Sequence, residues 1–255
     1  MKRVLLFSQK PLGEKCFDIL IKKQSHQFKL LGVVSNKSKN VWWNSNYIYQ
    51  KTLNTQIKFI DNTKKNEDEI YQFIIDNKIN LLISVQHPWI LSSKIIDSVN
   101  NIAFNLHNAK LPEFKGNNIF SHVILNNKKT HTSTIHYMAK EVDMGDIVLE
   151  REIEIQDDFT SKMLYDKAQI NALKLFQKFI NLLETQNTFE RKRIHEEGTF
   201  YNKKSIEKLK EIQNILDFQE VDRKTRAFYF PPFEPAFFII KNKKYYVLPE
   251  NAYNK

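Results

Sequence analysis

Asn105-Leu106-His107 closes a short apolar run, and Asp143-Met144-Gly145-Asp146-Ile147 follows further along the chain. Their side chains supply an amide, a titratable base and a carboxylate. Those groups suffice for acyl transfer to an amine: a base must remove the amine proton, and a donor must steady the oxyanion. Imidazole titrates near neutrality and suits the first task. A neutral Asn amide donates without titrating and suits the second. A carboxylate beside the imidazole favours its charged form, and either Asp143 or Asp146 is placed to provide it. Asn105 and His107 are two apart, so a strand aims both to one face.

Other chemistries lack support. His131 and His136 are five apart on an expected strand and face opposite sides, and Cys16 is the only cysteine, so no metal site is expected. The chain holds no GxGxxG, no GxxxxGK[ST] and no Gly-x-Ser-x-Gly. Dinucleotide, P-loop and nucleophile-elbow chemistry therefore drop out. Cys16, next to Phe17, reads as a packed core thiol.

The elements that must hold these groups follow from hydrophobic pattern. Val4–Ser8, Leu30–Ser35, Ile57–Ile60, Leu81–Val85 and Ile102–Leu106 are short apolar runs. They alternate with amphipathic stretches, a helix from Gly13 to about Lys23 and another over Glu67–Lys78. That alternation predicts a mostly parallel sheet covered on both faces, an α/β fold of Rossmann-like type whose ligands sit at the carboxyl ends of strands. A helix at Ile119–Leu125, strands at His131–Met138 and Ile147–Ile155, and a long helix from Thr160 to Leu183, capped by Asp158 or Thr160, come next. Composition shifts near residue 185, so the chain is read as a catalytic domain over 1–185 and a small C-terminal helix and β-hairpin extension over 186–255. There, Lys203–Gln213 reads as helical, and Phe237–Ile240 and Tyr245–Leu248 flank a turn at Asn242-Lys243.

The bulk numbers bound the class. The chain has 255 residues, 42% hydrophobic and 13% aromatic, which is globular composition. The net charge of +10 is spread over scattered lysine pairs rather than one basic arm, so a nucleic-acid partner is not expected. The N-terminus lacks a signal-peptide pattern, and no apolar run approaches the ~18 residues of a membrane span. A soluble cytoplasmic protein without a membrane partner is expected.

Asn105-x-His107, Leu111-Pro112-x-x-x-Gly116, Thr134-x-His136-x-Met138 and Asp143-x-Gly145-Asp146-Ile147, in that order, resemble the signature of the formyltransferases that use N10-formyltetrahydrofolate. That family includes glycinamide ribonucleotide, methionyl-tRNA and nucleotide-sugar formyltransferases. The resemblance implies Asn105, His107 and Asp143 as the catalytic trio, with Asp143 rather than Asp146 in the family position. It implies that the folate lies along Gln86, Trp89 and Ile90 and along the turn with Gly145 and Asp146, with no metal. Asn108 and Ala109 stand where many members have Pro and Ser, and Phe114-Lys115 where many have Tyr-Arg. The tail is too short for the larger C-terminal domain of methionyl-tRNA enzymes. The aromatic block 228–233 followed by a hairpin resembles the tails of small nucleotide-sugar enzymes. The expected acceptor is thus a dTDP-linked amino sugar, dTDP-4-amino-4,6-dideoxyglucose, for O-antigen or another surface glycan. The alternatives are methionyl-tRNA formyl transfer and a catalytically silent nucleotide-sugar binding protein. Lys115 is placed to meet a pyrophosphate or to be a surface lysine. Tyr229 and Phe230 are placed to stack on a nucleobase or to pack a hairpin or dimer interface. A homodimer is expected.

Overall fold

The computed structural model describes residues 1–37, 41–43, 46–100, 102–186 and 189–253. The first half alternates strand and helix: β1 (Lys2–Ser8), α1 (Lys10–Lys22), β2 (Phe28–Ser35), α2 (Tyr47–Thr52), β3 (Lys58–Asp61), α3 (Glu67–Asp76), β4 (Leu81–Val85), α4 (Ser93–Asp97) and β5 (Ala103–His107). Then come β6 (Phe114–Gly116), α5 (Ile119–Leu125), β7 (Thr130–Tyr137), β8 (Ile147–Glu154) and α6 (Ser161–Thr185). The rest is β9 (Thr199–Tyr201), α7 (Phe218–Phe228) and the hairpin β10 (Phe237–Ile240) and β11 (Lys243–Tyr246). One sheet of seven strands has the order β3-β2-β1-β4-β5-β7-β8. Its pairs from β3 to β5 are parallel, and β7 runs antiparallel to β5.

Contacts divide the chain into two compact units. The first comprises 1–107, 133–151 and 172–197, and the second 108–132, 152–171 and 198–255. A single cut near 185 would fall within the third segment of the first unit. The second unit is discontinuous because Ile119, Val123, Phe159 and Leu164 share one apolar cluster with Ile212 and Phe228 of the tail.

The first unit shows why its strands are apolar throughout. Along β1, Val4 and Leu6 enter one cluster, with Phe17, Phe104 and Phe176, while Leu5 and Phe7 enter another, with Ile70, Ile74 and Ile95. Alternate side chains thus bury on opposite faces of one sheet. Each such side chain contributes roughly 1.5–3 kcal/mol. Cys16 lies in the first cluster, fully buried, and burial pushes its thiol well up, as expected of a packed core cysteine.

Several boundaries differ from the pattern reading. Helix α1 begins at Lys10, with Pro11 in its first turn, so Gly13 is interior. A Cβ on Gly13 would lie 2.4 Å from Ser8 Oγ, which makes this glycine a close-approach position. The Met163 amide donates to Thr160 Oγ1 (3.2 Å), so Thr160 is the residue that caps α6. Lys203–Gln213 holds only a 3-10 turn, Glu207–Leu209. Lys210 is buried there against Glu207 and Glu234, and Glu211 bridges to Phe237, which draws the backbone away from a helix. The helix of the tail is instead α7, begun by Asp217, whose carboxylate accepts from the Gln219 and Glu220 amides. The hairpin turns at Lys241-Asn242, both left-handed (φ 47 and 60), rather than at Asn242-Lys243.

Candidate active site

Strand β5 has two unlike faces. Phe104 and Leu106 are locked into the first cluster, which turns Asn105 and His107 the other way. On β7, Ile135 and Tyr137 are held in that same cluster, so His136 also faces away from it. The register sets Asn105 opposite His136, and opposed side chains share a face. Asn105 Nδ2 is 3.1 Å from His136 Nε2.

That contact fixes the tautomer of His136. Its Nδ1 lies 2.8 Å from the Tyr137 carbonyl oxygen, which can only accept, so Nδ1 carries the proton. Burial pushes the imidazole down to about 4; the nearby Asp143 carboxylate acts in the opposite sense and His107 in the same sense. At neutral pH Nε2 is therefore bare and accepts from Asn105 Nδ2. The Asn105 amide is held in one orientation, with its second N–H still available.

Asp143 completes the group. It occupies the turn after β7 with a left-handed backbone (φ 56), a conformation Asp tolerates. One carboxylate oxygen lies 3.7 Å from His107 Nδ1 and the other 3.6 Å from His136 Nε2. The carboxylate is nearly buried, with 8% of its side chain exposed, against 11% for His107 and 2% for His136. Gly145 holds the turn against the end of β7: a Cβ there would lie 1.8 Å from the Tyr137 carbonyl oxygen. Asp146 points elsewhere. Its carboxylate is 3.9 Å from Arg191 and its backbone oxygen accepts from the Tyr137 amide (2.9 Å). Of the two acids left open by spacing, Asp143 is the one beside His107.

Sequence pattern alone does not assign His136 to this site. Its place in the Thr134-x-His136-x-Met138 motif was the available signal, but the partner of its strand was not legible.

The other expected contacts divide between the units. After β4, Gln86 has a left-handed backbone (φ 53), and its Oε1 is buried with no hydrogen-bond partner among the described residues. Trp89 donates its indole N–H to the Asn62 carbonyl (2.9 Å) and is 41% exposed, while Ile90 is 66% exposed. Burial pushes neighbouring His87 down to about 3. In the second unit Lys115 lies on β6, opposite Phe200 of β9. Phe230 meets Tyr165 edge-on at 5.1 Å and Phe233 at 5.8 Å. The Tyr229 carbonyl accepts from the Lys162 amide and the Ser161 hydroxyl. The Phe230 ring thus packs within its own unit, and Tyr229 is tied there through its backbone. Among the described residues no group of three His, Cys, Asp or Glu side chains could hold a metal ion, and no helix is long and apolar enough to cross a membrane.

Residues 1–180 match the model of a protein family described as formyl transferase. The chain belongs to that family. Among curated relatives of this formyl transferase, GDP-perosamine N-formyltransferase of Brucella melitensis biotype 1 is 26% identical over 187 residues, 71% of this chain and 69% of that protein. Methionyl-tRNA formyltransferase of Geobacillus sp. is 30% identical over 155 residues, 60% of this chain and 49% of the relative. The bifunctional polymyxin resistance protein ArnA of Wigglesworthia glossinidia brevipalpis is 26% identical over 71% of this chain, which spans 28% of that protein's length. The α/β fold is that of a solved 4-N formyltransferase from Francisella tularensis, with TM-score 0.79 and 23% identity over 98% of this chain and 97% of that one. An N-formyltransferase from Helicobacter canadensis, solved with folinic acid and dTDP-3-aminofucose, superposes with TM-score 0.76 at 21% identity, covering 96% of this chain and 86% of that one.

Proposed function

We propose that this formyl transferase moves a formyl group from N10-formyltetrahydrofolate to the amine of a nucleotide-linked amino sugar, dTDP-4-amino-4,6-dideoxyglucose, in the synthesis of a surface glycan. The observation that carries the reading is the cluster of Asn105, His107 and Asp143, with His136 behind Asn105. The amine nitrogen would bond to the formyl carbon while His107 accepts its proton, directly or through water; the bond from that carbon to N10 would then break, and tetrahydrofolate would leave with a proton on N10, so that in net terms the proton lost by the amine passes to the leaving nitrogen. The free N–H of Asn105 donates to the formyl oxygen as negative charge develops on it. Asp143 orients His107 and offsets the charge it takes on.

The residues after β4 fit a folate. The unpartnered Gln86 Oε1 offers an acceptor to an N–H of the pterin edge, and Trp89 and Ile90 offer apolar surface. Gly145 and Asp146 contribute through the backbone of their turn. Bound there, the folate would supply the formyl group. On the acceptor side, Lys115 is proposed to meet the diphosphate, with Tyr229 and Phe230 at the base.

The sugar reading draws on the near full-length likeness to the Francisella enzyme and on the perosamine relative. The Helicobacter structure supports a dTDP-linked substrate, and the Brucella relative makes GDP the base to compare. A second reading, formyl transfer to methionyl-tRNA, is favoured by the 30% identity to the Geobacillus enzyme and predicts salt-sensitive tRNA binding. Incubation with N10-formyltetrahydrofolate and a panel of dTDP-, UDP- and GDP-amino sugars, followed by chromatography, tests the proposal. Formylation of charged initiator tRNA and of no sugar would reject it. The chain is further proposed to act in the cytoplasm as a homodimer, joined through its C-terminal hairpin. Ile239, Ile240, Tyr245 and Tyr246 expose 46%, 46%, 46% and 53% of their surfaces there, an apolar surface for a second copy to cover.

A further inference from the structure

Within the second unit, a cavity of about 290 Å³ opens between the end of α5, the residues after β8 and one face of α7. Lys128, Lys129, Arg223 and Arg226 reach it, against the acids Asp157 and Asp222. None of these residues belongs to the site described above. The positions taken from α7 follow the i, i+3, i+4, i+7 rule, so one helix face is committed to the cleft.

The cations differ in how they are held. Arg226 donates from Nε and Nη2 to Asp222 (2.9 and 2.7 Å) and from Nη1 to the Phe159 carbonyl (3.3 Å). This guanidinium is fixed in place with donors to spare. Lys129 pairs with Asp157 at 2.6 Å, and Lys128 pairs with Glu113 outside the cleft. Asp157 and Asp222 pair with Lys129 and Arg226, and no ion pair among the described residues includes Arg223. Lys129, and more weakly Arg226, holds the Asp157 carboxyl below its ordinary range, as a positive local field requires.

The remaining lining sets the kind of anion. The amides of Asn127, Gln156 and Gln219 offer both donors and acceptors, which suits hydroxyl groups. Ile124 and Ile155 give a small apolar floor. The volume lies at the low end of small-molecule sites, roughly 300–1,000 Å³. It suits one monomer rather than a polymer, and the scattered lysines offer no track for a strand. We propose that this cleft is a second ligand site that takes a small hydroxyl-bearing phosphate ester, with Arg223 meeting the phosphate and the amides reading the hydroxyls. The phosphate can come from a sugar phosphate or from a nucleoside monophosphate.

The test is calorimetric titration of the full chain at low salt, with glucose 1-phosphate and with dTMP as probes. Saturable binding of either probe, weakened on the order of tenfold or more in Arg223→Glu and kept in His107→Ala, is expected, because a charge-assisted phosphate contact is lost. The probe that responds identifies the source. Arg223→Gln should shift the same isotherm in the same direction by a smaller factor, and equal melting temperatures guard against unfolding. Isotherms that superimpose for the unaltered chain and Arg223→Glu with both probes, or that show no saturable binding, overturn the proposal. Because the readout is binding, it is decided separately from whether the chain transfers formyl groups.

Discussion

Asn105 donates its side-chain amide to His136 across the antiparallel seam between β5 and β7, with 3.1 Å between the nitrogens. A neutral imidazole, pushed down to about 4 by burial, is what makes that bond possible. The amide that would meet an oxyanion is therefore aimed by a histidine that need not touch the substrate.

If His136 acts through Asn105, their effects will not add. His136→Ala is expected to lower kcat by about 10-fold or more with little change in KM. The double variant with Asn105→Ala should be no slower than Asn105→Ala alone. His136→Gln, whose Oε1 can accept the same bond, should recover part of the loss. Additive losses in kcat would separate the two residues.

His107→Ala and Asp143→Ala should each cut turnover by roughly 10²–10⁴-fold, the usual worth of a positioned general base. Nucleotide-sugar binding should persist. Asp146→Asn, which alters the acid facing Arg191, should cost far less. Steady-state kinetics beside equilibrium binding checks all three, and loss of binding with unchanged turnover contradicts the roles.

Gly145→Ala should damage stability and catalysis together. The added methyl would sit 1.8 Å from the Tyr137 oxygen, so the turn carrying Asp143 must move. A cost of about 1–3 kcal/mol is expected for such overpacking, with a fall in kcat. Urea unfolding and kinetics on the same sample read both. A variant with unaltered kcat would mean that the turn can relax without displacing Asp143.

Stability should fall in mild acid. His136 and His87 are held neutral by burial, near 4 and 3, against an unfolded value of 6.5. Below about pH 6.5 the unfolded chain binds protons that the folded chain refuses, so the unfolded state gains. The loss grows as pH drops from 6.5 and levels off below the folded values. For His136 the low-pH limit is on the order of 3 kcal/mol. Urea midpoints between pH 7.5 and 4.5 should decline, and His87→Phe should flatten the slope. Midpoints independent of pH would contradict the burial argument.

Charge on the hairpin should break the proposed dimer. Ile239→Glu with Tyr246→Glu is expected to halve the mass seen by light scattering without altering the melting of the first unit. An unaltered chain that is monomeric at all concentrations would dispose of the hairpin interface.

Much of this was readable from pattern. Strand β4 and helix α5 fall where apolar runs placed them, and Asn105 and His107 share a face because Phe104 and Leu106 own the other. His136 was hidden because local alternation says which way a side chain points, not which strand lies beside it. The choice between Asp143 and Asp146 depended on a left-handed turn residue and on Gly145 meeting Tyr137, neither of which has a periodicity. Helix α7 carries no apolar run that announces it, and Lys203–Gln213 has a helical pattern without an α-helix, for one reason. Both are rich in charged residues, and what separates them is a cap at Asp217 and an ion-paired Lys210.

The pairing of β5 with β7 also limits how the chain can tolerate changes in length. One residue inserted within 130–137 would exchange inward for outward and present Ile135 or Tyr137 where His136 now stands. Gaps and duplications are therefore incompatible with the site anywhere inside 103–107 or 130–137.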